Sequence, residues 1–125
     1  MSKAILPGPD HMPVLGLRLY LIHSFPTETA HERHAHLSDH FRFMKDLEDK
    51  GQLFAAGPVL EEGDQSTGEG LIIIRAENRA EAEAIALSDP YHARGFRRFE
   101  VRAWLLNEGS FGLKIRLSDG RAEFE

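Results

Sequence analysis

Apolar and polar residues alternate in three stretches of the chain, at residues 15–22, 98–105 and 111–117. Alternation with a period of two is typical of a β-strand that has one face towards a core. Two shorter apolar segments, residues 53–57 and 71–74, predict further strands, and the second indicates a central strand buried on both faces. For the last five residues, which follow a turn, we expect a frayed end or a short edge strand.

Between the first two strands the spacing of apolar residues becomes helical. Thr29 and Glu32 match a capping box, which predicts a helix that begins at about residue 30. Gly51 follows Lys50 and indicates a left-handed helix end. The helix carries one apolar stripe, formed by Leu37, Phe41, Met44 and Leu47.

A second helix is predicted at residues 80–87, and its small side chains suit close packing on a sheet. Asn78, with Glu81 three residues later, resembles a helix start. Asp89 and Pro90 interrupt the helix, and Asp89 is well placed to cap a short turn that runs to Gly95.

The order of the elements is strand, helix, strand, strand, helix, strand, followed by a hairpin extension. This order predicts an α+β fold, a ferredoxin-like βαββαβ sandwich with both helices on one face of the sheet. We divide the chain into an irregular N-terminal arm (residues 1–13), the sandwich domain (residues 14–106) and a C-terminal β-hairpin extension (residues 107–125).

The two sheet faces predict an assembly. We expect the odd-numbered leucines of the first strand to pack against the helices, which leaves Tyr20, Ile22 and Trp104 on the other face. That face is too apolar to lie in water. A second copy with a facing sheet would bury it, so we predict a homodimer of the dimeric α+β barrel type. A monomer whose tail folds over this face is the alternative.

Composition limits the partners and the compartment. The chain has 125 residues, a formal net charge of -5 and no cysteine. The sequence contains no basic stripe with interleaved aromatic residues, which would be the sign of a nucleic-acid partner. No apolar run approaches the ~20 residues of a membrane span, and the first residues lack a signal-peptide core. We therefore expect a cytoplasmic protein of one domain that binds neither nucleic acid nor a membrane.

His40 falls inside the apolar stripe of the first helix, which is unusual for a titratable ring. It is either a core histidine whose ring is hydrogen-bonded, or a residue that handles protons at the mouth of a pocket. Metal binding together with His34 and His36 is a third alternative, although no HExxH context accompanies it.

Two further segments could belong to a pocket. Small residues at positions 55–57 would let a helix or a ligand approach closely, or would only allow tight packing. Pro58 is expected to end that strand. The acidic, glycine-rich residues 61–70 predict a loop, which is either a lid or a solvated connection.

The chain resembles the YCII-related family of small proteins with a dimeric ferredoxin-like α+β fold. The resemblance covers roughly residues 15–105 and lies in the order and spacing of several short motifs. These are His40, Leu47, Gly51-Gln52-Leu53, Ala56-Gly57-Pro58, Gly70-Leu71-Ile72-Ile73, Glu81-Ala82, Asp89-Pro90-Tyr91 and Glu100-Val101-Arg102-Ala103-Trp104. The chain departs from the family at Gly70, where many members carry serine, and in its extension beyond residue 105.

The resemblance implies an active-site pair of His40 and Asp89. In this family the pair is a proposed catalytic centre, and one branch includes a dehydrochlorinase that acts on a chlorinated hydroxyhydroquinone. The implied role of His40 is that of a general base oriented by Asp89, with Tyr91 or Arg102 steadying a developing oxyanion. The implied substrate contacts are Tyr91, Arg102, Gly57, Pro58 and Gly70.

The predicted function is that of a small-molecule enzyme of the YCII-related type. The reaction would be a proton transfer by the His–Asp pair, as in a cofactor-independent lyase or isomerase or in a dehydrochlorinase-like step, with no cofactor and no metal. The alternative is a non-enzymatic module that binds a small ligand or serves dimeric assembly.

Overall fold

The computed structural model of this chain describes residues 6–7 and 13–125. Its centre is an antiparallel sheet of four strands with helices on one face. A 3-10 helix, Ala30–His36, precedes the first α-helix. The elements in chain order are β1 (Leu6–Pro7), β2 (Pro13–Val14), β3 (Leu17–Pro26), α1 (Leu37–Asp49), β4 (Leu53–Leu60), β5 (Ser66–Ile74), α2 (Arg79–Ser88), α3 (Pro90–Ala93), β6 (Arg97–Leu106), β7 (Leu113–Ile115) and β8 (Ala122–Phe124).

The strand order β4-β5-β3-β6 confirms the predicted ferredoxin-like sandwich. β3 is central and pairs antiparallel with both β5 and β6. The two strand–helix–strand units therefore interleave in one sheet, as the split βαβ pattern requires.

The assignment of the two sheet faces was wrong. The core under the helices contains Tyr20 and Ile22 together with the buried alanines Ala82 and Ala86 of α2. Successive strand residues point to opposite faces, so Leu19 and Leu21 lie on the face without helices. Both faces of β3 are apolar, and for that reason its alternation could not select the inner one.

The first helix begins later than predicted. Its first turns are 3-10, and Thr29 makes no side-chain cap, so the capping box is wrong. The Thr29 hydroxyl instead donates a hydrogen bond to the carbonyl of Gly95, 3.3 Å away, which ties this corner to the turn after α3. The predicted left-handed end is confirmed, because Gly51 has a φ of 75°.

Strands β4 and β5 are longer than the apolar pattern predicts. β4 continues through Pro58 to Leu60 with an irregularity between them. Proline is tolerated there because β4 is an edge strand. The predicted loop at residues 61–70 is reduced to residues 61–65, since Ser66 begins β5 and its polar residues pair with β4.

The predicted cap of α2 is confirmed, and so is the role of Asp89 as a cap. The Asn78 side chain accepts a hydrogen bond from the Glu81 backbone N–H at 2.8 Å. The Asp89 side chain accepts one from the Tyr91 backbone N–H at 3.0 Å and so begins α3.

Both ends of the chain form small strand pairs of their own. Most of the predicted N-terminal arm lies outside the described residues, and its described part contributes β1, which pairs with β2. At the C-terminus β7 pairs with β8 in a sheet separate from the central one. Within the described residues, the helices lack the length and apolar character needed to cross a membrane.

Candidate functional site

The structure brings His40 of α1 to Asp89, which lies between α2 and α3. His40 Nδ1 is 3.0 Å from Asp89 Oδ1, and the two side chains are 19% and 2% exposed. A carboxylate can only accept a hydrogen bond, so the Nδ1 atom carries the proton. The Nε2 atom is then left with a lone pair, which is the state required of a general base.

The turn that follows α2 holds the carboxylate in place. Asp89 precedes a proline, which favours extended backbone at Asp89 and provides a suitable first residue for a helix. The same carboxylate oxygen accepts hydrogen bonds from the Tyr91 backbone N–H and from His40. Asp89 is therefore both the cap of α3 and the partner of the imidazole.

A cavity of about 410 Å³ opens beside this pair, between α1 and the ends of β4 and β5. Its volume lies in the range of small-molecule sites. His40 and Asp89 contribute to its wall together with Phe41, which was expected in the core but is 60% exposed. The other lining residues are Ser24, Arg33, Met44, Ala56, Gly57, Pro58, Ser66, Gly68, Glu69, Gly70, Leu71, Ile72, Tyr91 and Arg97.

A buried polar network joins the lining residues Ser24 and Arg97 to His92, which lies behind the cavity wall. Ser24 Oγ lies 2.7 Å from His92 Nε2 and accepts a hydrogen bond from Arg97 Nε, also at 2.7 Å. His92 Nδ1 donates to the carbonyl of Ala86 at 2.7 Å. In the neutral ring Nε2 therefore accepts a hydrogen bond from the Ser24 hydroxyl. Burial lowers the pKa of His92, which favours this neutral form.

Two arginines place positive charge at the cavity wall, and the same wall contains Tyr91. Arg33 and Arg97 line the cavity, and within the described residues the buried hydroxyl of Tyr91 has no hydrogen-bond partner. Burial raises the pKa of Tyr91, and the charge of Arg33 opposes that rise. Burial also lowers the pKa of Arg97, and the charge of Arg33 adds to that effect.

The structure gathers most of the predicted site residues at this cavity. Gly57, Pro58, Gly70 and Tyr91 all line it with the histidine and the aspartate. Arg102 does not belong to it, so this prediction was wrong. Arg102 pairs with Leu21 in the sheet, which puts its side chain on the face opposite the helices.

The three-histidine metal alternative fails on geometry. Among residues 13–125 no three side chains of the histidine, cysteine, aspartate and glutamate types cluster closely enough to hold an ion. His36 is instead hydrogen-bonded to Arg94, outside the cavity.

Sequence reasoning missed Ser24, Arg33, His92 and Arg97. Each lies next to a predicted element, but only the tertiary fold brings them to one place. The one available signal is the parity of Ser24, which shares a face of β3 with Tyr20 and Ile22.

The fold and the cavity define an α+β protein of the ferredoxin-like type with a His–Asp pair in a pocket at the helix-covered face. Residues 18–105 match the YCII-related domain, and the chain belongs to that family. A comparison with curated proteins gives no match.

Among solved structures, the chain is similar to a 5-chloro-2-hydroxyhydroquinone dehydrochlorinase from Burkholderia phenoliruptrix in complex with 2,5-dihydroxybenzoquinone. The TM-score is 0.58 and the sequence identity is 22%, with 69% of this chain and 92% of the other covered. At this identity the similarity establishes the fold.

Proposed function

We propose that this protein is a small-molecule enzyme that transfers a proton without a cofactor, with His40 as the general base and Asp89 as its orienting partner. One observation carries the proposal, namely the 3.0 Å contact from His40 Nδ1 to the buried Asp89 carboxylate at the wall of a cavity. The dehydrochlorinase activity of the similar structure supports a reaction of this class.

The step begins with removal of a substrate proton by His40 Nε2, while Nδ1–H remains bonded to Asp89. In an elimination the electron pair of the broken bond forms a new π bond, and a leaving group such as chloride departs with its own bonding pair. In an isomerisation the imidazolium returns the proton to a second carbon. Asp89 stabilises the imidazolium through its negative charge, and general-base catalysis of this kind contributes about 10²–10⁴-fold.

The cavity supports a substrate of one ring or of similar size. Gly57, Pro58, Gly70 and Tyr91 are the proposed contacts in addition to the catalytic pair. Gly70 places no side chain at the cavity wall. A Cβ at this position would fit, since it would lie 3.7 Å from the Gly57 carbonyl oxygen. The serine that many family members carry there would therefore be accommodated, and its side chain would narrow the cavity.

The test is a panel of chlorinated and hydroxylated aromatic compounds and small carbonyl acids, followed by halide release and by deuterium incorporation from heavy water. His40→Gln should lose turnover and keep its fold. The matched control is His34→Gln, an exposed histidine on the preceding 3-10 helix. If His40→Gln keeps wild-type turnover, the proposal is wrong.

A binding module without catalysis is the second candidate. The close stacking of His40 on Tyr91, with ring centroids 4.2 Å apart, would serve equally to shape a ligand wall. In that case wild type and His40→Gln would bind panel compounds, and neither would release halide or exchange protons.

We also propose that the protein acts as a homodimer with facing sheets. The face without helices carries Leu21, Leu71 and Ile73, and Trp104 on this face is 39% exposed. Apolar residues in the centre of an open sheet favour burial against a second copy.

A further inference from the structure

We propose that Arg33, Arg97 and the hydroxyl of Tyr91 form an anion subsite, so that the ligand is a small acid. Its carboxylate or phenolate oxygen would lie between these groups, and its flat apolar body would lie across the rest of the cavity. This inference rests on the proposed function and names the substrate class of the same site.

The strongest observation is the Tyr91 hydroxyl. The residue is only 4% exposed, and its oxygen is buried without a hydrogen-bond partner in the described part of the chain. A buried hydroxyl left unpaired destabilises the protein, because the group has lost its hydrogen bonds to water without gaining another. Tyr91 contributes to the cavity wall, and it lies close enough to Arg33 and Arg97 for their charges to act on its hydroxyl. We infer that a ligand oxygen held by these arginines accepts the hydrogen bond that the protein leaves open.

Arg97 is held in place and keeps donors free. Its Nε donates to Ser24 Oγ, and its Nη2 donates to the carbonyls of Ser24 and Gly68 at 3.1 and 2.6 Å. These acceptors are neutral, and they leave both protons of Nη1 unused among the described contacts. A guanidinium fixed by its own neighbours is preorganised to bind an anion.

Arg33 adds a second positive charge at the same wall. Its Nη1 donates to the carbonyl of Ala30 at 3.0 Å, which also leaves several donors. Arg33 and Arg97 each form hydrogen bonds only to neutral groups within the described residues. Two like charges beside one cavity favour occupation by an anion.

The two acidic residues of the lining act on Arg97 through their charge, but their hydrogen bonds go to other partners. The Glu69 carboxylate is paired with His23 Nε2 at 2.6 Å, towards the face without helices. Asp89 accepts from His40 and from the Tyr91 backbone. The lining thus carries two arginines and two carboxylates, and within the described residues neither carboxylate is paired with Arg33 or Arg97.

The apolar residues of the lining determine what kind of ligand fits beside the anion subsite. Phe41, Met44, Ala56 and Ile72 are apolar and line the same cavity. A site with an apolar wall and a few convergent polar groups suits a ligand with one charged end. A planar ring bearing an acidic group fits this distribution.

The test compares benzoate with benzamide, which share a ring and a shape but differ in charge, by isothermal titration calorimetry. Benzoate should bind at least about tenfold more tightly than benzamide, as expected for hydrogen bonds to a charged group. Arg33→Gln and Tyr91→Phe should each reduce benzoate affinity about tenfold and benzamide affinity by less, because hydrogen bonds to a charged oxygen are stronger than those to a neutral carbonyl. Arg97 is left intact because it also holds Ser24 and Gly68.

The matched control is Arg42→Gln, an exposed arginine of α1 that pairs with Asp39 and does not line the cavity. It should leave the benzoate-to-benzamide ratio unchanged. Equal affinities for the two probes, no benzoate binding at millimolar concentration, or a ratio unaffected by Arg33→Gln and Tyr91→Phe would each overturn the subsite.

His40→Gln separates this inference from the proposed function. The variant should keep the preference for benzoate over benzamide even though it loses turnover. Catalysis that survives in His40→Gln would disprove the role of the base without touching the subsite. A ratio near unity in the wild type would disprove the subsite without touching the base.

Discussion

The ring of Tyr91 lies flat against the ring of His40, with centroids 4.2 Å apart and planes within 6°. Tyr91 is two residues from Asp89, whose carboxylate holds the edge of the same imidazole. The segment Asp89-Pro90-Tyr91 therefore fixes His40 in two ways, by a hydrogen bond at Nδ1 and by an aromatic face. The geometry of a residue from α1 is determined by a turn 49 residues further along the chain.

Two substitutions of Tyr91 distinguish the contribution of its ring to stability from that of its hydroxyl. Tyr91→Phe keeps the stack and removes a buried hydroxyl without a partner, so the free energy of unfolding should stay equal or rise by up to about 1 kcal/mol. Tyr91→Leu loses the stack and should lower it by about 1–3 kcal/mol. Urea denaturation of both variants measures this difference. A larger loss in Tyr91→Phe than in Tyr91→Leu would contradict the described packing.

Substitution of Asp89 separates its two roles. Asparagine can still accept the Tyr91 N–H, so Asp89→Asn should retain most of the stability. Its amide oxygen then also accepts from His40 Nδ1, because one oxygen serves both donors. The negative charge that stabilises the imidazolium is lost, so turnover should fall by at least about 100-fold.

The comparison variant is Asp89→Ala, which removes the cap as well. It should lose about 1 kcal/mol or more of stability in addition to the activity. Parallel denaturation and turnover measurements test both variants. Full activity in Asp89→Asn would exclude a role for the carboxylate charge, and full activity in Asp89→Ala would exclude an orienting role.

The buried histidine behind the cavity wall, His92, predicts a pH dependence of stability. Burial lowers the pKa of His92 in the folded protein below its ordinary value of 6.5. The unfolded chain then binds this proton more readily, so the contribution is present above about pH 6.5 and is lost as the pH falls through the lower folded pKa. Protonation would also remove the Nε2 acceptor of Ser24.

The measurement is the free energy of unfolding from pH 8 to pH 5 for wild type and His92→Gln. The wild-type curve should fall more steeply on the acid side, by up to about 1.4 kcal/mol per pH unit. Exposed His34→Gln serves as the control and should follow the wild type. Parallel curves for wild type and His92→Gln would contradict a buried neutral ring.

The face of the sheet without helices predicts the oligomeric state. Ile73→Glu would put a charge in the centre of this face and should convert a dimer to a monomer. Light scattering after size-exclusion chromatography measures the mass. Leu87→Glu is the control, because Leu87 is an exposed apolar residue of α2 outside the sheet. A monomeric wild type, or a dimer that Ile73→Glu leaves intact, would exclude the facing-sheet assembly.

The sequence was sufficient for the order of the main elements, because the alternation of apolar residues and the caps at Asn78 and Asp89 are local signals. It was insufficient where two local readings were equivalent. β3 is apolar on both faces, so the choice between Leu19 and Tyr20 for the helix-covered core depended on the packing of the whole sheet. Thr29 had the pattern of a cap, but its hydroxyl found a partner in Gly95 instead.

The site also contains residues that the local sequence predicts and residues that it does not. His40 and Asp89 could be recognised because each has an unusual local setting, one inside an apolar stripe and one before a proline at a helix break. Arg33 and Arg97 have ordinary surroundings in the sequence, and only the fold brings them to the same wall. Arg102 was selected because it belongs to a family motif, but strand parity puts it on the opposite face.

The most direct test of the central claim is the tautomer of His40, measured by long-range ¹H–¹⁵N NMR at neutral pH in wild type and Asp89→Ala. We predict a protonated Nδ1 and an unprotonated Nε2 in the wild type, and loss of that preference in Asp89→Ala. A wild-type ring protonated at Nε2, or one that exchanges between tautomers as freely as exposed His34, would contradict it.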